Sequence, residues 1–520
     1  MIIDLETVDP LPDFACDIAV VGAGAVGIPL AVALAQRGKR VLLLEGGGVG
    51  LEKSSQDLTQ SISLGQELEG LEKGRFRMLG GTSNFWGGQL AEFQDIVFEP
   101  RTWLDSDGWP FGRDVLGPYY QAALRMLGMA GCASDPAVFA SHRIEGPAED
   151  GPLELFLTRW LKNPNLAQMF HQELNGAALP VVVHANLVGL KADRSGSRVT
   201  ELALRTLSGR TVAVKAGTVV LSCGTIEICR QLQLPFVDGR PAPWGGNPWL
   251  GRGFLDHIDS TAGEVKILDP SRFHDLFDTI YSGGFKFTPK MRLKASAQQE
   301  MRGVEIAGVF AFRSSLADHL VNFKILLRAL RNGRGGRELW KLPAATLSVA
   351  RVLIPMVVRY IRANRMFNPV DGGVLLRLMS EQWPNRDSRI GLASERDALG
   401  LPKVEIDWAI DGREIETCRR FALFVRDWLR RTGLADIDID PLLLAGDRAY
   451  FKKADDGFHQ MGGARMASSA KDGVVDKDLK VFGSENLYVA GAAVYPCSGY
   501  ANPTLTAIAL GQRLADKLCA

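Results

Sequence analysis

The sequence predicts a mixed α/β fold in which a nucleotide-binding domain of the Rossmann type is interleaved with a second domain. Three observations support this prediction. Residues 18–21 form an apolar run that is too short for a helix, and this run leads directly into the glycine-rich segment GAGAVG at 22–27. An apolar helical pattern follows, and a second apolar run at 40–44 ends on Glu45. Strand-like segments recur far along the chain, near residues 180, 220 and 490.

The glycine-rich loop has the spacing of a dinucleotide-binding turn. In such a turn one glycine closes the bend, one lets the backbone approach the pyrophosphate, and one lets helix and strand pack closely. Here these glycines are Gly22, Gly24 and Gly27. Free N–H groups at the start of the following helix can bind phosphate. Glu45 can accept hydrogen bonds from ribose hydroxyls and disfavours a 2′-phosphate, so the motif predicts either FAD or NAD.

The dispersed segments favour FAD over NAD. Residues 181–190, 217–224 and 486–491 are each predicted to be a strand, and 502–518 is predicted to be a helix. A nicotinamide-binding domain is usually contiguous. A domain assembled from distant segments suits a long cofactor that is held from several sides.

Composition and charge exclude some partners and compartments. The chain of 520 residues has 60 basic and 59 acidic side chains, so no overall charge favours nucleic acid. Its seven cysteines do not form a disulfide framework, and Cys223 and Cys229 lack the spacing of metal ligands. We therefore predict no metal site and a reducing compartment. The first twenty residues are acidic and lack a secretory signal, which predicts a cytoplasmic protein.

Several motifs, in order, resemble the glucose-methanol-choline (GMC) oxidoreductase family. RFRMLGGTSNFWGGQL at 75–90 is similar to the family's glycine-rich flavin loop, and DGWPFGRDVLGPYY at 107–120 is similar to a stretch of bacterial sugar and polyol dehydrogenases. GRGFLDHI at 251–258 and PNRDSRIGL at 384–392 also resemble family patterns. The most specific segments are HQMGGARM from His459 and ANPTLTAIALGQRLADKL from Ala501.

The resemblance implies a discontinuous FAD-binding domain at 1–135, 175–258 and 455–520. Residues 136–174 and 259–454 would form a substrate domain with an antiparallel sheet plus helices. The expected reaction is oxidation of a CH–OH group to a carbonyl, with hydride transfer to flavin N5, on a sugar, glycoside or polyol. Two alternatives are a flavin-containing lyase of the same fold and an oxidoreductase acting on a lipid-linked or hydrophobic alcohol at a membrane surface.

His459 is the predicted catalytic base. Alcohol oxidation needs a base within hydrogen-bond reach of the hydroxyl, and histidine has a suitable pKa. Among seven histidines, His459 matches the catalytic histidine of the resembled family. Asn502 matches the second catalytic position, which is His or Asn in that family; an amide cannot take up the proton, so His459 would be the sole base. Asn502 could also cap the last helix, with Pro503 in its first turn.

The resemblance further predicts a non-covalent FAD site. Some relatives carry a His or Cys in the flavin loop that bonds covalently to the flavin, whereas residues 82–86 here are TSNFW. Asn84 is the expected polar contact, and Trp86 could equally be a packing residue. The predicted cofactor-binding residues are Gly22, Gly24, Ala25, Val26, Gly27, Glu45, Gly80, Gly81, Thr82, Asn84, Trp86, Gly87, Gly88, Val188, Cys223, Gly224, Gly491, Ala492, Asn502, Pro503 and Thr504.

Four other residues lie near the predicted site. His257 stands in GRGFLDHI and is interpreted as structural. Glu381 could line the substrate pocket, although an ion pair is the preferred interpretation. Cys223 and Cys497 are interpreted as small buried packing residues.

Segment 321–365 is strongly basic and, in its second half, apolar. It contains ten Lys or Arg and one acid, Glu338, in a chain whose total charge is +1. Arg351 and Pro355 interrupt the apolar part, which is too short to span a bilayer. The segment could be a solvated part of the substrate domain, a contact with an anionic membrane surface, or a site for an acidic substrate or a protein partner. The sequence does not specify the electron acceptor, and the non-covalent flavin favours a dehydrogenase.

Overall fold

The computed structural model describes residues 1–314 and 342–520. Its strands are β1 (Ile2–Asp4), β2 (Phe14–Val21), β3 (Val41–Leu44), β4 (Ser61–Ser63), β5 (Gln89–Leu90), β6 (Leu153–Trp160), β7 (Val181–Val183), β8 (Asn186–Ala192), β9 (Val199–Arg205), β10 (Thr211–Leu221), β11 (Phe254–Leu255), β12 (Ile258–Ile267), β13 (Thr279–Ser282), β14 (Phe285–Leu293), β15 (Ile306–Phe312), β16 (Arg365–Met366), β17 (Val374–Ser380), β18 (Arg389–Arg396), β19 (Pro402–Asp407), β20 (Ala435–Ile439), β21 (Asp455–Asp456), β22 (Met461–Gly462) and β23 (Leu487–Val489).

The described α-helices connect these strands. They are Gly27–Gln36, Lys53–Asp57, Gly70–Lys73, Asp95–Phe98, Arg113–Met126, Asp135–His142, Leu166–Met169, His171–Asn175, Thr225–Gln233, Pro270–Phe277, Ala295–Met301, Leu342–Ala363, Glu414–Arg431, Pro441–Ala445 and Thr504–Cys519.

Within the described ranges, eight strands form a sheet that carries the glycine-rich loop. Its order is β1-β7-β3-β2-β10-β9-β8, and β23 also pairs with β10. β10 runs parallel to both β2 and β23, with Leu221 opposite Val21 and opposite Val489. The carboxyl ends of strands from the start, middle and end of the chain therefore meet at one edge, where ligands of parallel α/β sheets bind.

The predicted Rossmann elements are present. β2 and β3 are apolar, and residues 18–21 and 41–44, which pair with each other, have little or no exposed surface, as expected for parallel strands covered on two faces. The helix Gly27–Gln36 follows the glycine loop and packs against Thr504–Cys519. This arrangement confirms the α/β prediction and places the last helix beside the first.

Residues 181–190 do not form the single strand that their composition predicts. The segment is split into β7, which pairs in parallel with β1 and β3, and β8, which pairs antiparallel with β9. His184 separates the two strands with a left-handed backbone, φ 54°. Its ring is held by Asp4 at 2.6 Å and Glu52 at 2.9 Å. These contacts come from distant residues, so the local sequence pattern could not show the break.

A second, antiparallel sheet of ten strands in the described residues includes the path β16-β13-β14-β15-β17-β12-β20. In the same sheet β6 pairs with β14, β5 pairs with β6, and β21 pairs with β12. The helix Glu414–Arg431 packs on one face of this sheet in a separate apolar core. An antiparallel sheet was predicted for the substrate domain. We propose that each of the two domains is built on one of these two sheets. β5 belongs to the FAD-binding segment 1–135 but pairs with β6 of the second sheet.

The basic segment 321–365 is described only in part. Residues 321–341 lie outside the described ranges, and most of the remainder forms the helix Leu342–Ala363. Several apolar side chains on this helix are exposed: Leu347, Leu353, Ile354, Val357, Val358, Tyr360 and Ile361. In the described part of the chain, no helix is long and apolar enough to cross a membrane.

Candidate active site

A cavity lies at the carboxyl edge of the first sheet and collects most of the predicted cofactor residues. The predicted residues that line it are Gly22, Gly24, Ala25, Val26, Glu45, Gly81, Thr82, Cys223, Gly224, Gly491, Ala492, Pro503 and Thr504. They come from widely separated parts of the chain, as expected for a long cofactor held from several sides. His459 lines the same cavity.

The glycine loop leaves no room for side chains where strand and helix meet. A Cβ on Gly27 would lie 1.8 Å from the Gly22 carbonyl oxygen, and one on Gly22, whose φ is 107°, would lie 2.6 Å from Cys223 Cα. A Cβ on Gly24 would meet no atom within 4 Å, because this glycine faces the cavity. In the helix Gly27–Gln36 the Ile28 N–H donates to the Gly24 carbonyl and Pro29 has no N–H group, so a phosphate at this helix start would be bound mainly by N–H groups of the preceding glycine loop. The loop therefore fits a pyrophosphate.

Glu45 is buried beside this loop and faces the cavity. Its carboxylate accepts hydrogen bonds from the N–H groups of Ala23 at 3.0 Å and Gly47 at 2.9 Å. Burial raises its pKa, while these N–H groups and Arg77 oppose that shift. A carboxylate has further lone pairs, so Glu45 can still accept from ribose hydroxyls.

Part of the predicted flavin loop has another role. The Asn84 amide donates to the carbonyls of Leu79 and Gly81 and accepts from Asn165, so its polar atoms hold the loop itself. Trp86 donates to the Pro164 carbonyl at 2.6 Å. Predicted residues that are not among those lining the cofactor cavity are Gly27, Gly80, Asn84, Trp86, Gly87, Gly88, Val188 and Asn502.

Val188 and Asn502 do not line the cofactor cavity, and the local geometry of each residue explains why. Successive side chains of a strand point to opposite faces, and Leu187, not Val188, lines the cavity. The last helix begins at Thr504 with Pro503 before it, so Asn502 is not its cap. The Asn502 side chain instead contacts His459.

Sequence reasoning missed several lining residues. Arg77 and Gln460 line the cavity, as does Phe458, whose φ of 59° is left-handed. Arg77 lies in the segment 75–90, and Gln460 follows His459 in HQMGGARM, so two of these residues belong to motifs that had been recognised. Phe458 directly precedes the second motif.

The dipeptide Asp256–His257 holds the backbone and the ring of His459. The Asp256 carboxylate is completely buried and accepts from the N–H groups of His257 at 2.7 Å, Gly457 at 3.0 Å and His459 at 3.0 Å. His257 Nδ1 lies 2.9 Å from His459 Nδ1. His257 was interpreted as structural; the structure places it in direct contact with the predicted base.

The hydrogen bonds of His459 determine its tautomer. Asn502 Nδ2 lies 3.0 Å from His459 Nε2, and because an amide nitrogen only donates, Nε2 must accept. The proton of neutral His459 is therefore on Nδ1, where it is donated to His257 Nδ1. His257 then carries its own proton on Nε2, which donates to the Ser498 carbonyl at 3.3 Å. The chain of bonds leaves a lone pair on His459 Nε2.

Both histidines are kept neutral by their surroundings. Burial lowers the pKa of His257 to about 4. Burial, with smaller effects from His257 and Lys290, places the pKa of His459 well below its usual value. An imidazole whose Nε2 carries no proton is the form that a general base needs.

A second cavity begins where Asn502 lies. It has a volume of about 340 Å³ and is lined by residues of the antiparallel sheet together with Tyr500 and Asn502. This size is within the range of small-molecule sites. Since His459 lines the first cavity and Asn502 the second, the hydrogen-bonded pair lies at the boundary between them.

Comparison with known proteins finds a family model and several relatives. Residues 384–511, which include both His459 and Asn502, match the family model described as GMC oxidoreductase. This part of the chain carries a GMC oxidoreductase C-terminal domain. It is 22% identical to 6'''-hydroxyparomomycin C oxidase of Streptomyces lividus, over 94% of this chain and 89% of that protein. It is 24% identical to paromamine 6'-oxidase of Streptomyces fradiae, over 94% and 88%.

A solved structure shows the same fold. Pyridoxine 4-oxidase from Mesorbium loti superposes with a TM-score of 0.61 and 18% identity, over 96% of this chain and 99% of that chain. The chain therefore shares its fold with this oxidase over almost its whole length.

A buried ion pair supports the loop that carries Asn502. Arg101 and Glu381 are completely buried and pair through two hydrogen bonds of 2.6 Å. Glu381 also accepts from the Gly499 N–H at 3.2 Å, and Glu305 accepts from the Tyr500 N–H at 3.0 Å. Glu381 therefore has the ion-pair role that was preferred from the sequence.

Glu305 gives this protein a predicted pH dependence of stability. Burial and the neighbouring Glu381 raise its pKa from 4.5 to about 7. Between these pH values the unfolded chain releases a proton that the folded protein keeps, so the free energy of unfolding falls as pH rises. Glu305→Gln should reduce the difference in unfolding free energy between pH 5 and pH 8, measured with urea. The exposed Glu395→Gln is the control, and an unchanged difference in Glu305→Gln would contradict the prediction.

Proposed function

We propose that this protein oxidises a CH–OH group of a sugar, glycoside or polyol to a carbonyl, with His459 as the base. The observation that carries the proposal is the unprotonated His459 Nε2 at the boundary between the cofactor cavity and the second cavity. The names of two relatives, which describe oxidases of hydroxyparomomycin C and paromamine, support a carbohydrate-like substrate.

The chain's own residues would move the proton. In the free protein the Asn502 amide occupies the Nε2 lone pair. On binding, the substrate hydroxyl donates to Nε2, and the Asn502 amide turns to donate to the substrate oxygen. His459 then takes the proton at Nε2 while its Nδ1–H continues to donate to His257. FAD, when bound, supplies the acceptor for the hydride.

We propose that FAD is bound without a covalent link. Residues 80–88, GGTSNFWGG, contain no His or Cys. Acid precipitation of the yellow protein should leave the flavin in the supernatant, and a yellow pellet would contradict this.

The function is tested by mixing the purified protein with sugars, glycosides and polyols without oxygen. Bleaching of the flavin absorption by one compound is the expected result. A yellow protein that no compound bleaches, but that converts a substrate, would favour the flavin-containing lyase. Addition of oxygen or of a quinone to the bleached protein then distinguishes an oxidase from the dehydrogenase that we favour.

We also propose that the helix Leu342–Ala363 contacts an anionic membrane surface. Leu347, Ile354 and Ile361 are spaced seven residues apart and are 53%, 61% and 74% exposed, so they share one face. The basic residues of the segment would attract anionic lipid.

The double variant Ile354→Glu/Ile361→Glu should therefore lose sedimentation with phosphatidylserine-containing vesicles, because it places charge on the apolar face. Val49→Glu, at another exposed apolar residue, is the matched control. Absence of sedimentation of the wild type would contradict the proposal.

A further inference from the structure

One face of β14 carries a row of cations. The strand alternates buried and partly exposed side chains, so Lys286, Lys290 and Arg292 point to the same side. Lys286 lies over the Trp160 ring at 4.0 Å from its centroid. Arg292 pairs with Glu154 at 2.8 Å. Two of the three cations thus have a strong partner within the protein.

Lys290 lacks such a partner. Its ammonium donates to the Gln89 side-chain oxygen at 3.3 Å, and it forms no salt bridge with a carboxylate of the described residues. Burial lowers its pKa to about 8, which leaves it mainly protonated at neutral pH. Burial of this ammonium costs free energy, and the charge of Asp259 compensates the cost only in part, so a ligand carboxylate beside Lys290 would lower it further.

Lys290 also stands beside the catalytic pair. It lines the second cavity together with Tyr500 and Asn502. Its charge is close enough to lower the pKa of both His257 and His459. A substrate whose hydroxyl reaches His459 would therefore place other groups near this ammonium.

The remaining charges of the second cavity do not cancel Lys290. Its single lining carboxylate in the described part of the chain, Asp259 on β12, already pairs with Arg377 of β17 at 2.9 Å. Arg313, after β15, adds another cation to the lining. Three cations against one carboxylate give this cavity a net positive charge.

We propose that the second cavity binds anionic polyhydroxylated substrates and that Lys290 pairs with their carboxylate or phosphate group. This inference rests on the proposed function, since it names the substrate class of the same site. The protein should therefore prefer a sugar acid or a sugar phosphate to a neutral sugar. Amino sugars should bind more weakly, because Lys290 would repel their ammonium group.

The test compares D-glucuronate, D-glucose 6-phosphate, D-glucose and D-glucosamine as probes that differ in one charged group. The dissociation constant of each probe from the FAD-loaded protein is measured by titration calorimetry under conditions that prevent turnover. We expect at least one of the two anions to bind about 10- to 100-fold more tightly than D-glucose, as for a hydrogen bond to a charged group. Comparison of the two anions distinguishes a carboxylate site from a phosphate site.

Lys290→Gln should remove this preference for anions, and Lys290→Arg should keep most of it. Lys286→Gln is the matched control, because it removes a cation from the same face of the same strand outside the cavity lining. Flavin content and melting temperature report whether each variant folds.

Two outcomes would overturn the inference: equal affinity for anionic and neutral probes in the wild type, or an unchanged preference in folded Lys290→Gln. A protein that binds the anions through Lys290 but whose flavin none of them bleaches would contradict the proposed oxidation and leave the anion site standing.

Discussion

His459→Ala lowers the rate constant of flavin reduction by substrate by a factor of about 10²–10⁴, the usual contribution of a general base. The variant loses the only group of the catalytic pair that can accept a proton, because the Asn502 amide cannot. The measurement is stopped-flow bleaching of the flavin without oxygen at saturating substrate.

The variant should still bind flavin, because His459 is one of many residues that line the cofactor cavity. His171→Ala, at an exposed histidine, is the control for the general effect of a histidine replacement. The low pKa of His459 implies that the wild type keeps its rate below pH 6.5, where an exposed histidine would be protonated. A rate in His459→Ala within threefold of the wild type would refute the assignment of the base.

Arg101→Met is expected to lower the free energy of unfolding by about 3–5 kcal/mol, the typical cost of breaking a completely buried ion pair. The substitution leaves the Glu381 carboxylate buried without its partner, beside Glu305. Urea unfolding followed by tryptophan fluorescence measures the change.

A surface pair provides the control for Arg101→Met. Arg240 pairs with Asp238 at 2.8 Å with both side chains more than 40% exposed, and Arg240→Met should cost less than about 1 kcal/mol. The double variant Arg101→Met/Glu381→Leu should recover part of the loss, because it removes the unpaired charge. Equal effects of Arg101→Met and Arg240→Met would contradict the role given to the buried pair.

The sequence predicted the parts of the site that depend on short motifs. GAGAVG and Glu45 could be assigned to the cofactor site because the turn, the helix and the acid follow each other within one βαβ unit. His459 and Asn502 were assigned from motifs that resemble the family, and the structure brings their side chains to 3.0 Å. The strand predicted at 486–491 and the helix predicted at 502–518 are close to β23 and Thr504–Cys519, whereas the strand predicted at 217–224 begins six residues earlier, in β10.

The parts that depend on distant contacts were not predictable in this way. The break at His184 requires Asp4 and Glu52, which are far away in sequence. The role of His257 depends on a ring nitrogen contact across about 200 residues of chain. Lys290 appears in the sequence as one cation among many, and only the packing of β14 shows that it has no carboxylate partner in the described residues.

The pairing of β10 with both β2 and β23 has a consequence for biosynthesis. Until β23 and the helix Thr504–Cys519 have left the ribosome, the cofactor cavity lacks Gly491, Ala492 and Pro503, and the base lacks Asn502. The flavin site of the nascent chain therefore stays incomplete until residues 487–504 have been synthesised. The part of β10 that pairs with β23 would stay an open apolar strand edge until β23 has emerged, so the yield of folded protein in cells should depend on chaperone capacity.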